Sequence, residues 1–176
     1  ENQRYLDLLR YLKAQFIDGK NLGSLIDIDC EYSDTLSDFK AVLEDRLNDS
    51  NPTVRDACES ILSIVEQAQV LAIKYDVCVA NPPYMGSKGM NTALKDFAKN
   101  SYPNSKADLF AIFMERVFNM LKEGGYNAQV NMQSWMFLSS FEKICFLTPI
   151  SLRPPDCPTV RLRRYINAPT PSCFPA

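Results

Sequence analysis

The sequence contains no histidine. That absence removes a Ser-His-Asp triad, a Cys-His pair, a histidine general base and histidine metal ligands. The six cysteines (Cys30, Cys58, Cys78, Cys145, Cys157 and Cys173) include no Cys-x-x-Cys pair. A zinc site of the usual spacing is therefore not visible, and no metal is expected. No apolar run approaches the ~20 residues that a membrane-spanning helix needs. No signal peptide is visible either, so the expectation is a reduced, cytoplasmic chain without a membrane partner. The first residue is Glu1 rather than methionine, which points to processing or truncation at the start. Glycine is scarce, and the Ser87-Lys88-Gly89 loop is not a P-loop, because GxxxxGK[ST] does not occur. Positive charge is not in surplus: the net charge of −2 does not suggest a free-standing nucleic-acid binder. What is present is ordinary for a globular chain, with 46% hydrophobic and 23% charged residues. A length of 176 residues allows one domain or a piece of a larger one.

The residues are unevenly distributed. Residues 145–176 hold seven of the eleven prolines, none of the six glycines, and four arginines against the single acid Asp156. That stretch is net +3, which leaves −5 on the first 144 residues. Three regions are expected: a mainly helical segment over 1–74, a catalytic part over 75–144, and a proline-rich irregular tail over 145–176. Two explanations of the tail stand side by side. One is a frameshift near residue 144 that leaves an out-of-frame end. The other is a genuine proline-rich linker or interaction tail, in which Arg161 to Arg164 could form a nucleic-acid patch.

Leu6, Leu9, Leu12 and Phe16 recur at helical spacing, with Tyr5 and Leu8 widening the face and Gly19 as a stop. Ser24 to Ile28 is short and apolar, and reads as a possible strand. Thr35 and Asp38 resemble a capping box ahead of a helix carrying Phe39, Val42, Leu43 and Leu47. After a break at 48–52, Thr53 opens a helix with Val54, Cys58, Ile61, Leu62 and Val65 on one stripe. Tyr75 to Ala80 is apolar and β-branched and reads as a buried strand. It must stop at Asn81-Pro82-Pro83-Tyr84, since proline cannot donate to a sheet ladder. A short helix over 91–100 and a strong one from Ala107 to Leu121 follow. Gly124-Gly125 should end the latter, and Tyr126 to Gln133 reads as the next strand. Strand, loop, helix, strand is α/β grammar with a parallel crossover.

Ligands of open α/β sheets bind beyond the carboxyl ends of the strands, where Asn81 to Tyr84 lies. An asparagine amide oxygen and the following carbonyl can both point into a cleft there. The prolines stiffen the turn, and Tyr84 offers a flat stacking face. The set suits methylation of an exocyclic amine or a carboxamide nitrogen, whose lone pair is delocalised. Two acceptors on its N–H bonds favour pyramidal nitrogen and free that pair for in-line attack on the sulfonium methyl of S-adenosylmethionine. Such catalysis is positioning plus placed dipoles, and needs no histidine. The alternative is simply a rigid turn.

Three blocks in order carry a family resemblance: Asn81-Pro-Pro-Tyr-Met-Gly-Ser-Lys-Gly-Met-Asn91, Ser105-Lys-Ala-Asp-Leu-Phe110 and Gln133-Ser-Trp-Met-Phe-Leu-Ser-Ser-Phe-Glu-Lys143. Together they resemble adenine-specific DNA methyltransferases of the PglX type, from BREX phage-defence systems and related to fused restriction–modification enzymes. The resemblance implies an α/β fold: part of a Rossmann-like, S-adenosylmethionine-dependent methyltransferase sheet with a helical N-terminal segment. It implies methyl transfer to N6 of an adenine flipped out of double-stranded DNA. Other phage-defence proteins would be partners.

By the same resemblance, Asn81 and the Pro82 carbonyl hold the target amino group, and Tyr84 stacks on the base. Asp108, Leu109 and Phe110 line the pocket for base and cofactor. Asn81 and Asp108 are the cofactor-side candidates; Tyr84, Lys88 and Phe110 are the substrate-side ones. Bland readings accompany several of these. Leu109 and Phe110 fit core packing, Lys88 a solvated loop rather than a phosphate contact, and Trp135 the core rather than the cleft.

The sequence also departs from that family. No Asp-Pro-Ala-Cys-Gly-Ser-Gly type segment precedes Asn81; Gly19 and Gly23 stand alone. The chain by itself is therefore expected to bind S-adenosylmethionine poorly, and it lacks the family's target-recognition region. Two other functions compete with the DNA enzyme: an inactive remnant or interaction fragment, and a protein-glutamine or RNA methyltransferase sharing Asn-Pro-Pro-Tyr.

Overall fold

The computed structural model describes residues 2–136, 138–141 and 144, and residues 161–164 by their backbone alone. The chain divides into two units between Ile73 and Lys74. Its described part is mixed α/β, mostly helical, with a small parallel strand pair.

The first unit holds helices α1 (Asn2–Gln15), α2 (Gly19–Leu22), α3 (Ser33–Arg46) and α4 (Pro52–Ala72). Leu8 and Leu12 of α1, Leu36, Phe39 and Leu43 of α3, and Cys58, Val65, Ala68 and Ala72 of α4 form one core. The inward face of α1 centres on Leu8 and Leu12, one turn apart. Leu6 lies round the helix from them and is exposed.

Ser24 to Ile28 is not a strand. Gly23–Leu25 is a 3-10 turn, and the extended residues after it bury Ile26 and Ile28 without a ladder. A short apolar run has no period long enough to separate those outcomes. Thr35 and Asp38 are not a capping box either, because α3 has already begun at Ser33. Arg4 ties both to α1: its Nε donates to the Thr35 hydroxyl at 2.9 Å, and its Nη1 meets Asp38 at 3.1 Å. Helix α4 starts as its sequence dictates. Pro52 fills the first turn, where no N–H is needed, and the Asn51 side chain accepts from Thr53 N at 3.0 Å.

The second unit contains β1 (Tyr75–Ala80), α5 (Thr92–Ser101), α6 (Leu109–Met120), β2 (Leu121–Gln129) and β3 (Arg161–Arg164). The sheet order is β1-β2-β3. β1 and β2 run parallel with Val77 beside Tyr126 and Ala80 beside Gln129, and β3 pairs antiparallel with β2. Strand β1 spans the expected residues, but it is not buried: Val77 is 52% and Val79 78% exposed. Among the described residues it has a neighbour on one edge only, whereas a buried parallel strand needs both edges and both faces covered.

Helix α6 ends at Met120, and β2 begins at once, before the two glycines. Leu121 pairs with Tyr75 and Tyr126 with Val77, so residues 122–125 bulge between successive pairs. Gly124 takes φ +74°, and a Cβ on Gly125 would lie 3.0 Å from the Lys122 carbonyl and 3.1 Å from that of Asp76. The glycines therefore shape a bulge in the strand rather than stop the helix. In the stretch expected to be irregular, residues 161–164 form a strand. The rest of that stretch, and with it the frameshift expectation, lies outside the described residues.

Two substitutions test these local causes by chemical denaturation. Asn51→Ala should lower stability by about 1 kcal/mol through loss of the cap, and Asn51→Asp should restore most of it. Gly124→Ala should cost about 1–2 kcal/mol from the left-handed backbone. Wild-type stability in either alanine variant would refute the corresponding account.

Candidate active site

The ladder between β1 and β2 closes with Val130 N donating to the Ala80 carbonyl at 3.1 Å. The next residue on β1's side is Asn81, and then two prolines leave no N–H to continue it. Residues 81–85 therefore leave the sheet as an irregular loop at the carboxyl ends of both strands. Pro82 is buried, and Asn81, Pro83 and Tyr84 are exposed.

Two sets of contacts fix this loop. The first is the Tyr84 hydroxyl, which donates to the Val130 carbonyl at 2.8 Å. The ring stays 48% exposed and meets the Phe110 ring at 86°, edge to face, with centroids 6.0 Å apart. The second is Asp108. Its Oδ1 accepts from Phe110 N at 3.3 Å, capping α6, and from Met85 N at 3.1 Å. Leu109 N donates to the Met85 carbonyl at 2.9 Å and Ser87 N to that of Ala107 at 3.0 Å. One carboxylate thus starts the helix and ties the Asn-Pro-Pro-Tyr loop to it.

The structure distributes the sequence-identified residues unevenly. Asn81, Pro82, Tyr84, Asp108 and Phe110 belong to one connected group at the strand ends. Phe110 is 1% exposed and sits behind Tyr84, in a core cluster with Ala111, Met114, Trp135, Phe141 and Ile144. Leu109 is buried as well. Lys88 is exposed in the turn that follows Gly86. Burial on α6 extends to Arg116, whose guanidinium acts against the desolvation that pushes the Cys78 thiol up. A thiol shifted that way is a weaker nucleophile.

Sequence reasoning missed Val130, whose carbonyl anchors Tyr84. It also missed the carboxamides of Asn127, Gln129 and Asn131. The signal for those was available as polar amides at every second position of an expected strand, where apolar residues would normally alternate.

The described residues do not fit a whole S-adenosylmethionine. Its methionine end needs a glycine-rich loop after a strand, and the described part of the first unit contains no strand. Gly19 and Gly23 sit in its helical turns. No group of three or more metal-ligating side chains occurs among the described residues. No described helix is long and apolar enough to cross a membrane.

Comparison with known proteins places the chain in a family. The Eco57I restriction-modification methylase family matches residues 26–147. The chain is 48% identical over 144 residues to the adenine-specific methyltransferase BrxX of Escherichia coli O9:H4 (strain HS), covering 82% of this chain and 12% of that protein. It is 37% identical over 134 residues to the adenine-specific methyltransferase PglX of Lacticaseibacillus casei (strain Zhang), covering 74% of this chain and 11% of that protein. The chain thus spans about an eighth or less of the curated relatives it matches. With the family match covering well over half of its residues, the chain belongs to the Eco57I restriction-modification methylase family.

Proposed function

We propose that these residues form the amine-binding part of an adenine-specific DNA methyltransferase of the BrxX/PglX kind, acting on N6 of an adenine flipped out of double-stranded DNA. The observation that carries this is the Asn81-Pro82-Pro83-Tyr84 loop at the carboxyl end of β1, with its tyrosine ring pinned through the hydroxyl yet open to solvent. Asn81 Oδ1 and the Pro82 carbonyl accept the two N–H bonds of the exocyclic amine. That draws the nitrogen lone pair out of conjugation and aims it at the methyl donor. Tyr84 stacks on the extruded base and offsets part of the lost base stacking. Phe110 supports Tyr84 from behind, and Lys88 lies on the exposed turn where a backbone phosphate would pass.

In the full-length enzyme, S-adenosylmethionine supplies the methyl group. The sheet of that enzyme is Rossmann-like, and β1 and β2 are two neighbouring strands of it. Its cofactor cradle is not among the residues here, so this chain alone is a poor cofactor binder. Asn81 and Asp108 lie on the cofactor side of the loop, Asn81 directly and Asp108 by holding Met85 and Phe110 in place. The enzyme works in the cytoplasm beside other phage-defence proteins. The adenine-specific relatives argue against a peptide glutamine as acceptor, and the restriction-modification family favours DNA over RNA.

In a full-length enzyme carrying this segment, Asn81→Ala should lower methyl transfer to DNA by about 10²–10³-fold, as for loss of a placed dipole, while leaving DNA binding intact. Retained turnover, or transfer to a glutamine peptide instead of DNA, would overturn the assignment. Asp108→Ala in the chain itself should lower stability by about 1 kcal/mol through loss of the α6 cap. It should also free the loop, visible as faster amide exchange at Met85. Unchanged exchange there would show that Asp108 does not hold the loop.

A further inference from the structure

Val130 N extends the parallel ladder one residue beyond β2, so Asn131 leaves the sheet at the same end as the Asn-Pro-Pro-Tyr loop. It directly follows the residue whose carbonyl holds Tyr84. Asn127, Gln129 and Asn131 alternate along this strand and its exit, which puts them on one face. They are linked in part. Gln129 Nε2 donates to the Phe113 carbonyl of α6 at 3.4 Å, and Asn131 Nδ2 donates to Gln129 Oε1 at 3.2 Å. One N–H of the Asn131 amide is thus committed, and the relay from α6 fixes the orientation of its carboxamide. The oxygen is buried and accepts from nothing among the described residues. Asn127 Oδ1 is also unpartnered, but it lies within the strand opposite Cys78, away from the loop.

A buried acceptor without a donor costs stability, and such groups in native proteins call for an explanation. The site described above supplies one. We infer that Asn131 Oδ1 is a further acceptor at this site, oriented in advance for an N–H of an adenine amine. This rests on the proposed function: the target amine has two N–H bonds, taken by Asn81 and Pro82, and Asn131 Oδ1 shares one of them in a three-centre bond, whereas the cofactor's adenine amine would meet it alone. Two sources can bring an adenine amine to the strand ends: the target base and the adenine of the cofactor. The chemistry recognised is the same for both. An acceptor shielded from water is also a stronger one than its exposed equivalent.

The test uses the whole 176-residue chain, isotopically labelled, with the side-chain amide signals of Asn81 and Asn131 followed by NMR. Three probes are titrated: a short single DNA strand with one adenine among thymines, the same strand with purine in place of adenine, and S-adenosylhomocysteine. The expected result is that the adenine strand shifts the Asn131 signals and the purine strand does not. Asn131→Leu should weaken that binding by roughly tenfold; it removes one orphaned oxygen but takes the donor from Gln129 Oε1, so the melting temperature should change little. A shift at Asn131 with S-adenosylhomocysteine alone also supports the inference and names the cofactor as the source. A shift at Asn81 without one at Asn131, or equal binding by Asn131→Leu, overturns the inference and leaves the site assignment standing. No shift with any probe overturns the inference, and the site assignment is then decided by the Asn81→Ala turnover of the full-length enzyme. If Asn131→Leu does not fold, the wild-type signals of Asn131 decide.

Discussion

Two consecutive prolines after a parallel strand leave two positions without a hydrogen-bond donor. The pairing of β1 with β2 is therefore carried as far as Ala80 and Val130 and no further. The loop that follows and its ties to α6 depend on that stop. It sends the backbone out of the sheet at Asn81 and puts Tyr84 within reach of the Val130 carbonyl. It also delivers Met85 to the Asp108 carboxylate that begins α6. The same helix then returns the chain to β2 beside β1. Loop, helix and strand exit are closed by a few bonds into one arrangement.

Much of this arrangement was legible in the sequence. Strand β1 and the α5 and α6 helices follow from β-branched runs, helical spacing and side chains suited to capping. Asp108 precedes Leu109-Phe110 as an N-cap should, although its second bond, to Met85, joins residues 23 positions apart and has no local signature. The α6–β2 boundary was misjudged because two glycines look like a helix stop. Here they relieve a crowded bulge, a requirement set by the neighbouring strand and not by the helix. Leu6 was placed on the wrong face of α1 because an i, i+3 series and an i, i+4 series overlap over so few turns. The capping role given to Thr35 failed for a tertiary reason: Arg4 reaches it from another helix.

The exposure of β1 separates pattern from environment. Its composition is that of a strand covered on both faces, yet Val77 and Val79 face solvent in this chain. The chain spans 12% and 11% of the two relatives. In contrast, the helical unit buries its apolar face within itself, from Leu8 to Ala72, and its composition and its environment agree.

The bond from Tyr84 to Val130 also has an entropic consequence. An exposed aromatic side chain usually surrenders its rotamer freedom when a ligand arrives, at about 0.5–1.5 kcal/mol for each side chain immobilised. Tyr84 is anchored at its far end by the fold itself, and its ring is flanked by a buried Phe110. Its ordering belongs to folding, not to recognition. A base stacked on this ring as proposed would meet a surface already held still, so more of the stacking energy would appear as affinity.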